Sequence, residues 1–191
     1  MTSNDKTVTN QTAERFADRA GAFGDILDAT GGQWTAPTPC EGWTVRDVVA
    51  HVIETERDFI EKQGLDVGPA PLTDPVQAWR THSAHLIAVL GQDGVAERDY
   101  DGYFGRTTIG DTIADFYGWD LMIHGWDVAR ATGQEWHISE EEAARLEATA
   151  IGWGEALYSE GVCAPALSVP DDATGTDRLL AMLGRDPAWR A

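Results

Sequence analysis

Five stretches of this sequence repeat apolar residues at the spacing of one helix face, and glycine or proline interrupts the pattern after each. Residues 9 to 29 set Ala13, Phe16, Ala17, Ala20, Phe23 and Leu27 on one side before Gly31-Gly32 stops them. After the proline-rich turn TAPTPCEGW, Thr44 stands three residues before Asp47 in a capping-box arrangement. Val45, Val48, Val49, Val52, Phe59 and Ile60 then form a second stripe, to about Gln63. Asp74-Pro75 opens a third helix with Val76, Trp79, Ser83, Leu86, Ile87 and Leu90 on one side, closed by Gly91 and Gly94. Asp111 reads as the cap of a long fourth helix to about Thr132, with Ile113, Tyr117, Asp120, His124, Val128 and Ala131 along one stripe. Ser139 and Glu142 make another capping box and open a fifth helix through Leu146, Ala150, Trp153 and Leu157. Apolar faces of this kind must be buried against one another, so the expected fold is an all-α bundle.

Between the fourth and third stripes, residues 95 to 110 contain YDGYFGRTTIG and fit either a loop or a short hairpin. The tail SVPDDATGTDRLLAMLGRDPAW offers one short helix around 175 to 183. With 191 residues and no internal repeat, the chain fits a single domain, with a core over about 9–160 and a C-terminal appendage over about 161–191. Asp and Glu number 32 against 14 Lys and Arg, a net charge of -18, spread through the helices. That field repels phosphate backbones, which argues against nucleic acid and against anionic membrane surfaces as partners. No apolar run approaches a membrane span and MTSNDKTVTNQ lacks a signal pattern, so the cytoplasm is the expected compartment. Cys40 and Cys163 stand in unrelated contexts with no CxxC pair, which argues against a disulfide framework or a thiolate-rich zinc site.

The fourth stripe holds an anomaly. Asp120 and His124 are four residues apart, so they project from one face, and that face is otherwise apolar. Burying an acid and an imidazole there demands compensation by a mutual hydrogen bond, a buried water or a cation. A carboxylate and a histidine at this spacing can clamp a metal, and three protein ligands with an open position describe a catalytic zinc site. His51 flanks the Val48/Val52 side of the second helix and is the best third candidate. His82 and His85 read as exposed or edge residues, with His82 able to substitute for His51, and His137 as a loop residue. Asp127 and Arg130 either orient a ligand or form a structural pair, with the pair preferred. The eight tryptophans read as core or pocket walls. Cys40 admits three roles: touching the metal or a bound thiol, sensing redox state near the pocket, or packing in the turn that aims the second helix.

Taken together, TPCEGWTVRDVVAHV, DLMIHGWDVARATGQ and DRLLAMLGRDP resemble the actinobacterial proteins related to the N-terminal domain of mycothiol-dependent maleylpyruvate isomerase, within the DinB-like superfamily. The resemblance spans about residues 34 to 187. It implies a DinB-like four-helix bundle, here with an additional helix and a short C-terminal tail. It also implies a divalent metal, usually zinc, held by His51, Asp120 and His124. The isomerase would carry glutamate where this chain has Asp120, and its active site draws on a C-terminal domain, so metal binding carries over more directly than isomerisation. The function this implies is a thiol-dependent isomerase or transferase, with mycothiol or another small thiol as cosubstrate and a small electrophile as substrate. The alternatives are a non-catalytic metal-binding or stress-related module and a metal-free helical scaffold. The sequence does not decide between a monomer and a homodimer.

Overall fold

A helix needs something at its start to take the free backbone amides, and Thr44, Asp74 and Ser139 do so for the second, third and fifth predicted helices. The computed structural model describes residues 3–159 and 161–191, and side chains from Thr12 onward. It contains α1 (Ser3–Asp28), α2 (Val45–Lys62) and α3 (Pro75–Leu90), then β1 (Asp99–Gly102) and β2 (Gly105–Thr108). A composite helix over residues 109–132, here α4, follows, and then α5 (Glu140–Gly152), a 3-10 turn (Gly154–Tyr158) and α6 (Gly175–Met182). At α2 the Asp47 amide donates to Thr44 Oγ1 at 3.3 Å while the Thr44 amide donates back to Asp47 Oδ2 at 2.8 Å, a reciprocal capping box. Asp74 caps α3 through the Gln77 amide, with Pro75 in the first turn, and Ser139 caps α5 through the Glu142 amide. The fourth helix departs from expectation. Thr108, not Asp111, is its cap, accepting from the Asp111 amide at 3.0 Å. The strand β2 delivers that hydroxyl in an extended conformation, so Asp111 falls inside the first turn, where its charge complements the helix dipole.

Residues 99–108 form an antiparallel hairpin, with Asp99 opposite Thr108 and Gly102 opposite Gly105. Otherwise the chain is predominantly helical. The predicted fifth helix ends at Gly152 rather than Leu157, because Gly154 has φ +57° and the chain passes into the 3-10 turn. No helix among the described residues is long and apolar enough to cross a membrane.

In the main core, α1 packs on α3 and α4, while α2 packs on the same two helices. Phe16, Phe23, Leu27, Val48, Val52, Ile60, Leu86, Ile113 and Leu121 are buried there. Each contributes about 1.5–3 kcal/mol of apolar burial. A second cluster joins Trp119 and Ile123 of α4 to Leu146 and Ala150 of α5, Leu157, and Leu179 and Leu183 near the C-terminus. The helix α4 thus serves two cores at once, which fixes the direction of every side chain on it.

Two features differ from the sequence pattern. The buried face of α3 runs through Ala78, Trp79, His82, Leu86 and Val89, rotated from the expected line through Ser83 and Ile87. His82, expected at an edge, is 0 % exposed, and it lies there because its Nε2 meets Glu56 Oε2 of α2 at 2.7 Å. The second is inside α4, where Thr112–Tyr117 is a π segment between α-helical Ile109–Asp111 and Gly118–Thr132. The Gly118 amide donates to Ile113, five residues back, instead of to Ala114. Arg19 Nη1 donates to the Ala114 carbonyl at 3.0 Å instead, and Arg19 is itself held by Glu142 of α5 at 2.6 Å. A Cβ at residue 118 would lie 3.1 Å from that guanidinium, so glycine makes room for it.

Candidate metal centre

The turn before α2 sets the site's roof. The Thr38 amide donates to the Trp43 carbonyl at 2.9 Å and the Trp43 amide to the Cys40 carbonyl at 3.0 Å, with Gly42 at φ +79° closing the turn. This places the Trp43 ring against His51 of α2, with ring centroids 4.8 Å apart, and 6.2 Å from the His124 ring. Below it, the π segment of α4 sets the angle at which Asp120 and His124 leave the helix.

The structure brings the three sequence-selected residues together. His51 Nε2 lies 3.9 Å from Asp120 Oδ2, and His124 Nε2 lies 3.5 Å from Asp120 Oδ1. One ligand atom from each of the three falls within 4.8 Å of the others. These separations are too long for hydrogen bonds. They approach the spacing of about 3.4 Å between two ligands that sit at tetrahedral angles about 2.1 Å from one zinc ion. The donor set of two imidazoles and a carboxylate suits zinc and related divalent ions. His51 and Asp120 keep 31 % and 23 % of their side chains exposed while His124 is buried, so the centre is open on one side.

That side faces a cavity of about 530 Å³ walled by Trp43, Tyr117, Trp119, Ile123, Trp153 and Leu157. Cys40 and Cys163 both line it, although nothing in their sequence contexts links them.

Behind the centre lies a layer that the sequence reading missed. His124 Nδ1 meets Asp127 Oδ2 at 2.9 Å, and Asp127 is fully buried. Arg185, from the segment after α6, grips the same carboxylate with two bonds, Nε to Oδ1 at 2.9 Å and Nη2 to Oδ2 at 2.8 Å. The Cys40 thiol donates to Asp127 Oδ2 at 3.2 Å and accepts from Arg185 Nη2 at 3.4 Å. Asp127 therefore does not pair with Arg130, which lies 5.2 Å from the Trp126 ring and donates to the Pro187 carbonyl at 3.1 Å. A carboxylate on the far ring nitrogen of a metal-ligating histidine fixes its tautomer and direction. Cys40, His124 and Asp127 also converge. That second cluster is unsuited to a cation, because both oxygens of Asp127 are taken and a buried guanidinium stands beside it. Asp127 was visible in the sequence as a second acid in the same helix, but its partner is 58 residues away, beyond any spacing rule.

Charge follows from this layering. Burial alone would raise the Asp127 pKa, but the Arg185 charge and the bonds from His124 and Arg185 hold it far below the usual carboxylate range. Burial would lower the His124 pKa, yet the Asp120 charge and the Asp127 hydrogen bond outweigh it and raise the value to about 10. His51 is pushed down, chiefly by burial, against the pull of Asp120. In the metal-free protein one proton thus sits on His124, between two carboxylates, where a cation is electrostatically favoured.

The remaining histidines stand apart. His82 is sealed against Glu56 and does not replace His51; His85 is exposed, with its Nδ1 2.7 Å from the Val67 carbonyl, and His137 is exposed in a loop.

No solved structure matches the chain significantly. Two uncharacterized proteins of Mycobacterium tuberculosis, Rv0738 of strain H37Rv and MT0763 of strain CDC 1551, are each 26% identical over 174 residues, covering 86% of this chain and 92% of their own length. The pattern of the family described as the mycothiol maleylpyruvate isomerase N-terminal domain matches residues 13–129, which include α2, α3, the hairpin and α4 as far as Ala129. The chain belongs to the mycothiol maleylpyruvate isomerase N-terminal domain family.

Proposed function

We propose that this protein binds one divalent metal ion, zinc, through His51, Asp120 and His124, and uses it to react a small thiol such as mycothiol with a small electrophile. The supporting observation is the convergence of two imidazoles and a carboxylate at non-hydrogen-bonding separations on the open side of a cavity. Family membership supports the thiol. The helices α1 to α4 would correspond to the four of a DinB-like bundle, and the expected setting is the cytoplasm.

Bound there, zinc would lower the pKa of a coordinated thiol and supply a nucleophile at neutral pH. The chain's residues do the rest. Asp127 and Arg185 hold His124 with its Nε2 toward His51 and Asp120, and Trp43 covers the outer face of both imidazoles. The apolar walls exclude water from the reacting carbon. With an electrophile whose carbon–carbon double bond is conjugated to a carbonyl, the thiol proton leaves to solvent and the sulfur bonds to one alkene carbon as the π pair moves onto the carbonyl oxygen. After rotation about the resulting single bond, return of that pair expels the thiolate and gives the isomer; protonation of the neighbouring carbon from solvent instead gives the conjugate.

Competitive zinc titration against a chromogenic chelator tests the site. Wild-type protein is expected to take one zinc per chain and His124→Ala none. Equal stoichiometry and affinity in the two proteins would overturn the assignment. A screen for zinc- and thiol-dependent loss of electrophiles tests the activity, and absence of turnover at full metal loading would leave a metal-binding module in its place.

A further inference from the structure

The residues lining the cavity carry a second message, about what occupies it. Among the described lining residues the cations other than histidine reduce to Arg185, and both of its carboxylate-facing nitrogens are committed to buried Asp127. Glu41 and Asp120 add negative charge to the same walls. Away from the His51, Asp120 and His124 centre, a carboxylate placed against these walls would lose its hydration and find no free guanidinium or ammonium in exchange, a cost of several kcal/mol.

The aromatic content points the other way. Trp153 sits at the centre of a chain of rings. Its centroid lies 4.8 Å from Trp119, 5.2 Å from Phe116 and 6.1 Å from Phe104, the last pair nearly parallel at 17°. Phe116, Tyr117 and Trp153 line the metal-facing cavity and also a second one, of about 430 Å³, beneath the hairpin. The one arginine lining that second cavity, Arg106, is tied to Asp99 at 2.9 Å. Phe104 and Phe116 also touch Tyr103 and Tyr117, at 4.9 and 5.1 Å between centroids, yet they remain 54 % and 41 % exposed, large fractions for such rings. An uncharged planar ligand would cover them and stack at the offset and edge-on geometries that aromatic pairs favour.

We propose that the cavity takes a small, neutral, aromatic electrophile, with its ring against Trp153 and Phe116 and its reactive carbon toward His51 and Asp120. This rests on the proposed function for the word electrophile, but the aromatic subsite stands on the walls alone.

Matched probes test it on the full chain: naphthalene-2-carboxamide, its charged counterpart naphthalene-2,6-dicarboxylate, and fumarate, each by equilibrium dialysis with and without one equivalent of zinc. The comparison is scored on the metal-free protein, where the carboxamide is expected to bind at least about tenfold more tightly than either dianion; the zinc arm shows how much a carboxylate gains from the metal. Trp153→Ala should weaken it about three- to tenfold, matching the worth of one aromatic pair. Phe116→Ala, at an exposed position that leaves the core intact, should weaken it about threefold with an unchanged circular dichroism spectrum. Equal or tighter binding of either dianion by the metal-free protein, or an unchanged carboxamide affinity in both variants, would overturn the proposal. His124→Ala separates the two readings, since loss of zinc with retained carboxamide binding upholds both. Failure of zinc binding in the wild type, with carboxamide binding intact, sinks only the metal.

Discussion

Two histidine–carboxylate clusters lie within the helices, and they differ in one dimension. In the first, His51, Asp120 and His124 stand 3.5 to 3.9 Å apart at a cavity wall. In the second, His82 and Glu56 close to 2.7 Å at 0 % and 1 % exposure. The second is a hydrogen bond complete in itself, leaving Glu56 Oε1 and His82 Nδ1 without partners. The first is held open, because Asp127 and Arg185 restrain His124 from behind. The same residue types thus make an interior strut in one place and a candidate ligand set in the other, and the backing layer separates the two.

Removing that layer should have the largest effect. Asp127→Ala strands the Arg185 guanidinium in the interior, at an expected cost of about 3–5 kcal/mol in chemical denaturation. Zinc affinity should fall about 10–100-fold, since His124 loses its anchor. A variant that unfolds no more readily and binds zinc as the parent does would show that the layer is incidental. For the sealed pair, His82→Leu should cost about 1–3 kcal/mol, the penalty of one unsatisfied buried group. Burial already raises the Glu56 pKa, so its carboxyl can take a proton rather than remain charged. Zinc affinity should stay unchanged, and a loss there would join the two clusters into one system.

Acidity sharpens the contrast further. The folded His124 pKa, about 10, lies above its reference of 6.5, so the stability contributed by that proton is complete below pH 6.5 and is lost as pH rises through about 10. The Tm of chelator-treated protein should therefore fall by a few degrees from pH 7 to 10. In Asp120→Asn, which removes the principal charge favouring that proton, the fall should begin at lower pH. Zinc must displace the same proton, so its affinity should climb with pH over this interval, approaching tenfold per unit. A pH-independent affinity would place the proton elsewhere.

Much of the helical frame is readable in the sequence, since periodicity and the Thr44–Asp47 and Ser139 caps are local signals. The i, i+4 spacing of Asp120 and His124 is local too, and their oddity on an apolar stripe is enough to single them out. His82 was misplaced because a polar residue in mid-stripe reads as an edge until its partner is known, and Glu56 belongs to another helix. Arg185 carries no mark in the sequence, since no local rule ties it to an acid 58 residues earlier. The π segment carries no compositional mark beyond Gly118. Long-range charge pairing and helix register were the illegible parts, and both govern the site.

The smallest expected effect falls on that segment. Gly118→Ala gains up to about 1 kcal/mol in helix propensity. It also crowds Arg19, whose flexible end can yield, so stability should change by less than about 1 kcal/mol. A large loss would mean that Arg19 has nowhere to go.

The π segment is, in genetic terms, a single extra codon inside a helix. Deleting one residue between 112 and 117 would let the ladder return to ordinary α geometry and turn everything before it by about 100° relative to everything after it. Either the core residues Ile109 and Ile113 or the pair Asp120 and His124 would then leave their stations. One length change can therefore part the three candidate ligands while leaving all of them in the sequence, so the presence of His51, Asp120 and His124 is not by itself enough to form the site.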